Sequence, residues 1–395
     1  VKKNTGVISP ATILETKLSG LGGLLINRGF YLQKNNALNG KIIWQYEPPP
    51  NHVIFYLRTG FDKIFVGLSQ VAAVETEGMH KNSDRPTPFI QNKLVCLDEK
   101  DGQLIWELGY QSLVTRIVCS EEYQFLVLLT GSALQIINSN SGQVLYEDQL
   151  FSNLPGPSYL HQTMIVHKNK VCYFNRKQEL VLYDLAPSRR GGTGFVLQSR
   201  MILKQFSGIE AQNLTGVWVS LSDDFVLVSG LSQNPVVIKL AGVTSGGTDR
   251  ELPLAGHFKN QPAKTVWRSF LTHEGICYFW TQNFTASDNT ALPTLSTIFL
   301  SYDLNQDRVL WKSPLNDFTY MGSINTGGEN CILSVGNFVS RSLAPFSVIM
   351  IDKKSGKRIW ETSFIHNSNM FGYPSVQING RSIIVTTQEG VVVYQ

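Results

Sequence analysis

Short apolar runs alternate with clusters of Gly, Asn, Asp and Ser along the whole chain. That rhythm is the signature of strands joined by tight turns. Residues 93–106, "KLVCLDEKDGQLIW", show the unit most clearly. An apolar run ends in Asp98, polar residues and a glycine follow, and a second run closes on Trp106. The stretch 347–360, "SVIMIDKKSGKRIW", nearly copies it, with Asp352 and Trp360 in the same places. Residues 31–44 end in the same glycine, spacer and Trp44, and 132–146 put Tyr146 in the tryptophan position. The copy at 297–311 keeps Asp303 and Trp311 but carries Asp307 where the others carry glycine. Weaker copies at 179–198 and 235–254 have a longer loop in place of the tight turn.

The hairpin has a physical logic. The first run is rich in Val, Ile, Leu and Phe, as a buried strand should be. The acid at its end can accept hydrogen bonds from the turn backbone, and glycine supplies a positive φ cheaply. The aromatic on the second run can pack against a neighbouring sheet, where burying one ring contributes a few kcal/mol. Two further strand-like runs precede most hairpins, for example "VIFYLRTG" and "KIFVGLS" before 93–106. Each unit is therefore four antiparallel strands, recurring roughly every 40–60 residues. No long helix is expected. Repeated four-stranded units arrange radially, so the expected fold is an all-β propeller forming a single domain over 1–395. Eight blades are expected. The first, near 20–46, is abbreviated, and the last joins 371–395 to an N-terminal strand near 11–18. Seven is the alternative, if 20–46 gives only a strand or two to the closing blade.

Composition narrows the function. Apolar residues make up 43% of the 395 and charged residues 16%, which fits a packed globular protein rather than a disordered one. The net charge of +4 carries no basic stripe, so nucleic acid is not an expected partner. No run approaches the ~20 apolar residues of a membrane-spanning helix. The five cysteines are scattered and form no C-x-x-C, so they read as small core residues rather than a metal or redox site. There is no G-x-S-x-G, Walker-type loop or dinucleotide fingerprint; the glycine-rich 19–25 lacks the lysine and helix that phosphate binding needs, and 189–195 reads as a turn.

The sequence of apolar strand, Asp, polar turn, Gly-Lys/Gln, two apolar residues and Trp resembles the repeat of pyrroloquinoline-quinone-type propellers. The resemblance covers nearly the whole chain. That family holds quinone-dependent dehydrogenases and also non-enzymatic, BamB-like scaffolds of the bacterial outer-membrane assembly machinery. The dehydrogenases hold their cofactor with a disulfide between adjacent cysteines, a tryptophan platform and a calcium ion. This chain has no adjacent cysteines. Asp98, Asp184, Asp303 and Asp352 recur at the repeat's own turn and read as turn caps. The resemblance therefore implies a non-catalytic protein-interaction scaffold without cofactor or metal, in a multi-subunit complex, and an extracytoplasmic location. The alternative is a quinone dehydrogenase, or a small-ligand or glycan binder using the central funnel. Long loops between second and third strands, and between blades, emerge on one face, where loops over a rigid scaffold carry function. Their aromatics, Met and Arg suit a contact surface. Phe151, Tyr159, Phe338, Arg341, Phe364, Met370 and Phe371 are the candidate protein-binding residues. Trp44, Trp106, Tyr146, Trp311, Trp360, Asp98, Asp303 and Asp352 are the candidate structural repeat.

Overall fold

A computed structural model describes residues 15–394 apart from 19–22, 37–38, 71–91, 111–113, 121–122, 131–132, 150–163, 176, 188–194, 207–216, 230–233, 241–248, 253, 255–263, 272–274, 285–294, 319, 327, 337–343, 367–374, 380–381 and 387–390. The described residues are organised as antiparallel sheets, each built from strands consecutive in sequence. The first sheet contains β1 (Glu15–Leu18), β2 (Gly23–Asn27), β3 (Leu32–Asn36) and β4 (Ile42–Tyr46). The second contains β5 (His52–Gly60), β6 (Lys63–Gln70), β7 (Asn92–Asp98) and β8 (Leu104–Tyr110). The third contains β9 (Val114–Cys119), β10 (Phe125–Thr130), β11 (Ala133–Asn138) and β12 (Val144–Gln149). The fourth contains β13 (Met164–His167), β14 (Lys170–Phe174), β15 (Glu179–Pro187) and β16 (Phe195–Gln205). The fifth contains β17 (Trp218–Leu221), β18 (Phe225–Ser229), β19 (Val236–Lys239) and β20 (Asp249–Glu251). The sixth contains β21 (Lys264–Leu271), β22 (Ile276–Phe284), β23 (Leu295–Asp303) and β24 (Arg308–Pro314). The seventh contains β25 (Tyr320–Asn325), β26 (Asn330–Gly336), β27 (Ala344–Asp352) and β28 (Arg358–His366). A final sheet has three strands only, β29 (Ser375–Asn379), β30 (Ser382–Thr386) and β31 (Val391–Tyr394).

The expectation of eight four-stranded blades, the last closed by the N-terminal strand, is corrected by this topology. Among the described residues seven sheets have the four strands of a complete blade. Residues 15–18 of the expected closing strand form β1 instead, which pairs with β2 from Glu15↔Asn27 to Leu18↔Leu24. The physical reason is proximity. β1 and β2 lie four residues apart, so hairpin pairing closes a far smaller loop than pairing with residues near 391 would. The first blade, expected to be abbreviated, is thereby complete.

The chain divides into two compact units. One comprises Val1–Ser158 with Ala186–Leu197, the other Tyr159–Leu185 with Gln198–Gln395. Within each, the cores lie between sheets, because the middle strands bury both faces. β10 is buried at every position, which is why its sequence, FLVLLT, is continuously apolar rather than alternating. In the first unit Leu25, Leu32 and Trp44 of the first blade pack with Leu57, Val66 and Val95 of the second. Phe65, Leu94 and Cys96 of the second blade pack in turn with Ile117, Leu128 and Ile137 of the third. In the second unit the fourth and fifth blades share Cys172, Leu180, Val219 and Val228. The fifth and sixth share Leu227, Val237, Phe279 and Leu300. The sixth and seventh share Trp280, Phe299, Leu333 and Ile349.

Candidate functional site

The repeat's turn is held by its own side chain. The Asp98 carboxylate accepts from the Lys100 amide at 2.7 Å, while its carbonyl accepts from Gly102 N–H at 2.9 Å. Asn138 does the same with Asn140 at 2.8 Å and Gly142 at 2.9 Å. Asp352 accepts from both the amide (2.7 Å) and the hydroxyl (2.6 Å) of Ser355. Those bonds, the hydroxyl's first, hold the Asp352 carboxyl below the ordinary carboxylate range. Asp303 accepts from the amides of Asn305 and Gln306 at 2.8 and 3.0 Å. Asp184 accepts from Asn169 Nδ2 at 2.7 Å, tying its strand to the β13–β14 turn.

Four residues beyond each cap the backbone turns left-handed, at Gly40 (φ 70°), Gly102 (75°), Gly142 (71°), Gly356 (69°) and Asp307 (55°). The carbonyl that follows the cap then faces outward, and the preceding blade uses it. Trp44 Nε1–H donates to the Glu99 carbonyl at 3.2 Å. Trp106 donates to the Ser139 carbonyl at 3.0 Å, and Trp311 to the Lys353 carbonyl at 2.6 Å. Each indole also lies flat on the glycine of the turn it bonds. A Cβ built on Gly102 would meet the Trp44 ring at 2.8 Å, one on Gly142 the Trp106 ring at 2.9 Å, and one on Gly356 the Trp311 ring at 2.6 Å. The glycine is therefore required twice, by the positive φ and by the ring. Trp360 makes a different contact, edge-on to Tyr394 with centroids 5.3 Å apart. Tyr146 is half-buried on β12, opposite Ile136.

Asp307 shows what happens without an indole. The preceding blade presents Arg250 on β20, and its Nη2 donates to the Leu304 carbonyl at 3.1 Å. Leu304 follows the Asp303 cap, so this is the carbonyl that tryptophan uses elsewhere. With no ring above it the turn can carry a side chain, though φ stays positive at 55°, and Asp307 pairs with Arg250 Nη1 at 2.6 Å. Tyr302 also donates its hydroxyl to Asp307. The Tyr302 bond, then the Arg250 charge, keeps the Asp307 carboxyl low, whereas burial first and Asp307 second raise the Tyr302 phenol. In the first unit Lys34 adds another variation. Its ammonium donates to the same Glu99 carbonyl at 2.9 Å and lies 3.8 Å from the Glu99 carboxylate, with both side chains at most 3% exposed.

Sequence reasoning missed three of these features. Arg250 lies in a weak copy of the repeat, although Asp307 in a glycine position is its visible counterpart. Lys34 sits in a strand where a lysine reads as solvent-facing. The third is the outward side of the fourth strands. The two residues before Trp44 and before Trp106 are apolar, yet Ile42 and Ile43 are 57% and 51% exposed, and Leu104 and Ile105 are 55% and 41% exposed. These pairs stand on β4 and β8, the terminal strands of their sheets.

Of the candidate loop residues, Phe151, Tyr159, Phe338, Arg341, Met370 and Phe371 lie outside the described residues. Phe364 belongs to β28, its backbone opposite Phe346. Among the described residues no group of three His, Cys, Asp or Glu is arranged to hold a metal ion. Burial pushes the thiols of Cys96 and Cys331 up to about 12. The chain has no adjacent cysteine pair of the kind that the quinone dehydrogenases use. No helix among the described residues is long and apolar enough to cross a membrane.

These blades and turns define a β-propeller fold. The solved structures similar to it include BamB from Moraxella catarrhalis, at 12% identity over 96% of this chain and 95% of that one, with a TM-score of 0.54. The WD40 domain of SCAP from fission yeast aligns at 11% identity over 97% of this chain and 94% of that one, TM-score 0.50. The dihydro-heme d1 dehydrogenase NirN aligns at 12% identity over all of this chain and 73% of that one, TM-score 0.50. At such identities the likeness is one of fold alone. No family model matches the sequence, and no curated protein matches it.

Proposed function

We propose that this chain is a non-catalytic propeller that serves as a protein-interaction scaffold, receiving an extended segment of a partner along its blade edges. The observation that carries this reading is the exposed pairs Ile42/Ile43 and Leu104/Ile105 on β4 and β8. An outer strand offers unpaired backbone groups, and apolar side chains beside them give an added strand something to bury. Natural sheet edges usually carry charge at such places. An extracytoplasmic setting within a multi-subunit complex belongs to the same reading and comes from the family that the repeat resembles. The sequence candidates Phe338, Arg341 and Phe371 are a second contact region within it.

The test is capture of partners from envelope extract by the purified chain. Leu104→Lys with Ile105→Lys should abolish capture of a specific protein while leaving the circular dichroism and melting temperature unchanged. Phe338→Ala, Arg341→Ala and Phe371→Ala should weaken it. Undiminished capture by the edge variant would remove β8 from the interface. Reconstitution with pyrroloquinoline quinone and Ca²⁺ that yields a bound chromophore and dye reduction with alcohols or sugars would overturn the non-catalytic reading altogether.

A further inference from the structure

The second unit fastens one of its blades differently from its neighbours. The fifth blade has short strands of four, five, four and three residues. Its shared cores with the fourth and sixth blades are apolar, but its peripheral ties are ionic on both flanks. Toward the sixth blade, Arg250 pairs with Asp307 at 2.6 Å in the position where an indole lies on glycine elsewhere. Toward the fourth, Asp223 in the β17–β18 turn meets Lys168 Nζ at 2.8 Å and His167 Nε2 at 3.0 Å. Asp249 on β20 also pairs with Lys204 on β16. The Lys and Arg pairs keep their side chains 30–53% exposed, where dissolved ions reach them. The Trp311 ring that joins the sixth blade to the seventh is buried and loses nothing to salt.

We propose that the fifth blade is the releasable blade of the second unit: ion pairs tie it to the fourth and sixth blades, so screening or losing them loosens β17–β20 while the hairpins clamped by Trp311 stay closed. Release of this blade does not depend on which partner the chain binds. Hydrogen exchange followed by mass spectrometry on the full-length chain tests it, at 0.05 M and 1 M NaCl. Amides of β17–β20 should exchange about ten-fold faster at high salt, the size expected of three exposed pairs acting together. Those of β26 and β27 should not accelerate, whereas β28 carries the exposed Arg358 pairs with Asp317 and Glu361 and is left out of the comparison. Arg250→Met should bring the low-salt exchange of β19 and β20 toward the high-salt rate and shrink their salt response. Lys93→Gln, which removes the exposed Lys93–Glu107 pair inside the second blade, should leave the fifth blade's exchange unchanged. A salt response equal in all blades, or absent from β17–β20 in the unsubstituted chain, would overturn the proposal.

Discussion

Replacing Gly356 with alanine isolates the contact on which the repeat rests. The added Cβ would lie 2.6 Å from Cδ2 and Cε3 of Trp311 and 2.9 Å from Cγ. Carbon atoms prefer about 3.5–4.0 Å, so the ring must retreat by about 1 Å. It has little freedom to do so. Its N–H is tied to the Lys353 carbonyl at 2.6 Å, and it packs against Phe299 and Tyr278 with centroids 5.6 and 6.0 Å away. Overpacking of this kind costs about 1–3 kcal/mol. The backbone adds its own cost, since φ at 356 is 69° and a left-handed residue with a Cβ costs about 1–2 kcal/mol.

The two contributions can be separated within the same chain. Gly40 occupies the same turn position with φ of 70°, but no atom lies within 4 Å of its would-be Cβ. Gly40→Ala should therefore cost about 1–2 kcal/mol, the backbone part alone. Gly356→Ala should cost about 2–5 kcal/mol, and in a Trp311→Ala background its extra cost should fall to the Gly40 value. With two units in the chain one global unfolding transition is not assured, so the measurement is opening free energy by hydrogen exchange. Strands β3 and β4 report on Gly40, and β24, β27 and β28 on Gly356. Equal costs at Gly40 and Gly356, or additivity with Trp311→Ala, would refute the clamp.

Two further outcomes follow from the charges. Lys34→Met should destabilise the first unit by about 3–5 kcal/mol, because it removes one partner of a buried ion pair, and Lys34→Met with Glu99→Gln should recover most of it in urea unfolding. Asp223 and Asp307 are both held below their usual value of 3.8, chiefly by the Lys168 and Tyr302 bonds respectively. A depressed folded-state pKa contributes stability that is complete above 3.8 and is lost as pH falls through the lower folded value. Exchange from the fifth and sixth blades should therefore accelerate below about pH 4 relative to the third, whose turn is capped by the side-chain amide of Asn138, and Asp307→Asn should blunt that acceleration.

How much of this was legible in the sequence depends on how local each determinant is. The all-β character and the four-strand unit were readable because turns announce themselves within ten residues. Asp98 caps the amide of Lys100, and Gly102 stands where a positive φ is needed. The blade count was not, because β1 could pair forward with β2 or across the chain to the last sheet, and no residue of "ETKL" distinguishes the two. The exposed pairs Ile42/Ile43 and Leu104/Ile105 escaped for a related reason. In a terminal strand an apolar run can face solvent, and periodicity does not tell an edge from a centre.

The non-local determinants become readable once the local one is understood. An indole needs a glycine beneath it, because at 2.6–2.9 Å a Cβ and the ring cannot share the space. A turn without glycine therefore implies a blade before it without an indole at that place. Asp307 meets that condition, and the group that replaces the ring must still donate to the Leu304 carbonyl while tolerating a carboxylate. Arginine satisfies both, since its planar fork carries five N–H donors and a permanent charge. Arg250 spends one nitrogen on the carbonyl and another on Asp307. The two exchanges, Trp to Arg and Gly to Asp, are thus one substitution spread over 57 residues. The reverse pair, Arg250→Trp with Asp307→Gly, should restore an indole clamp that either change alone cannot make. The double variant should protect β19 and β20 from exchange better than each single variant does, and it should do so independently of salt. If the double variant is merely the sum of the two singles, the carbonyl of Leu304 is not the shared acceptor that this geometry implies.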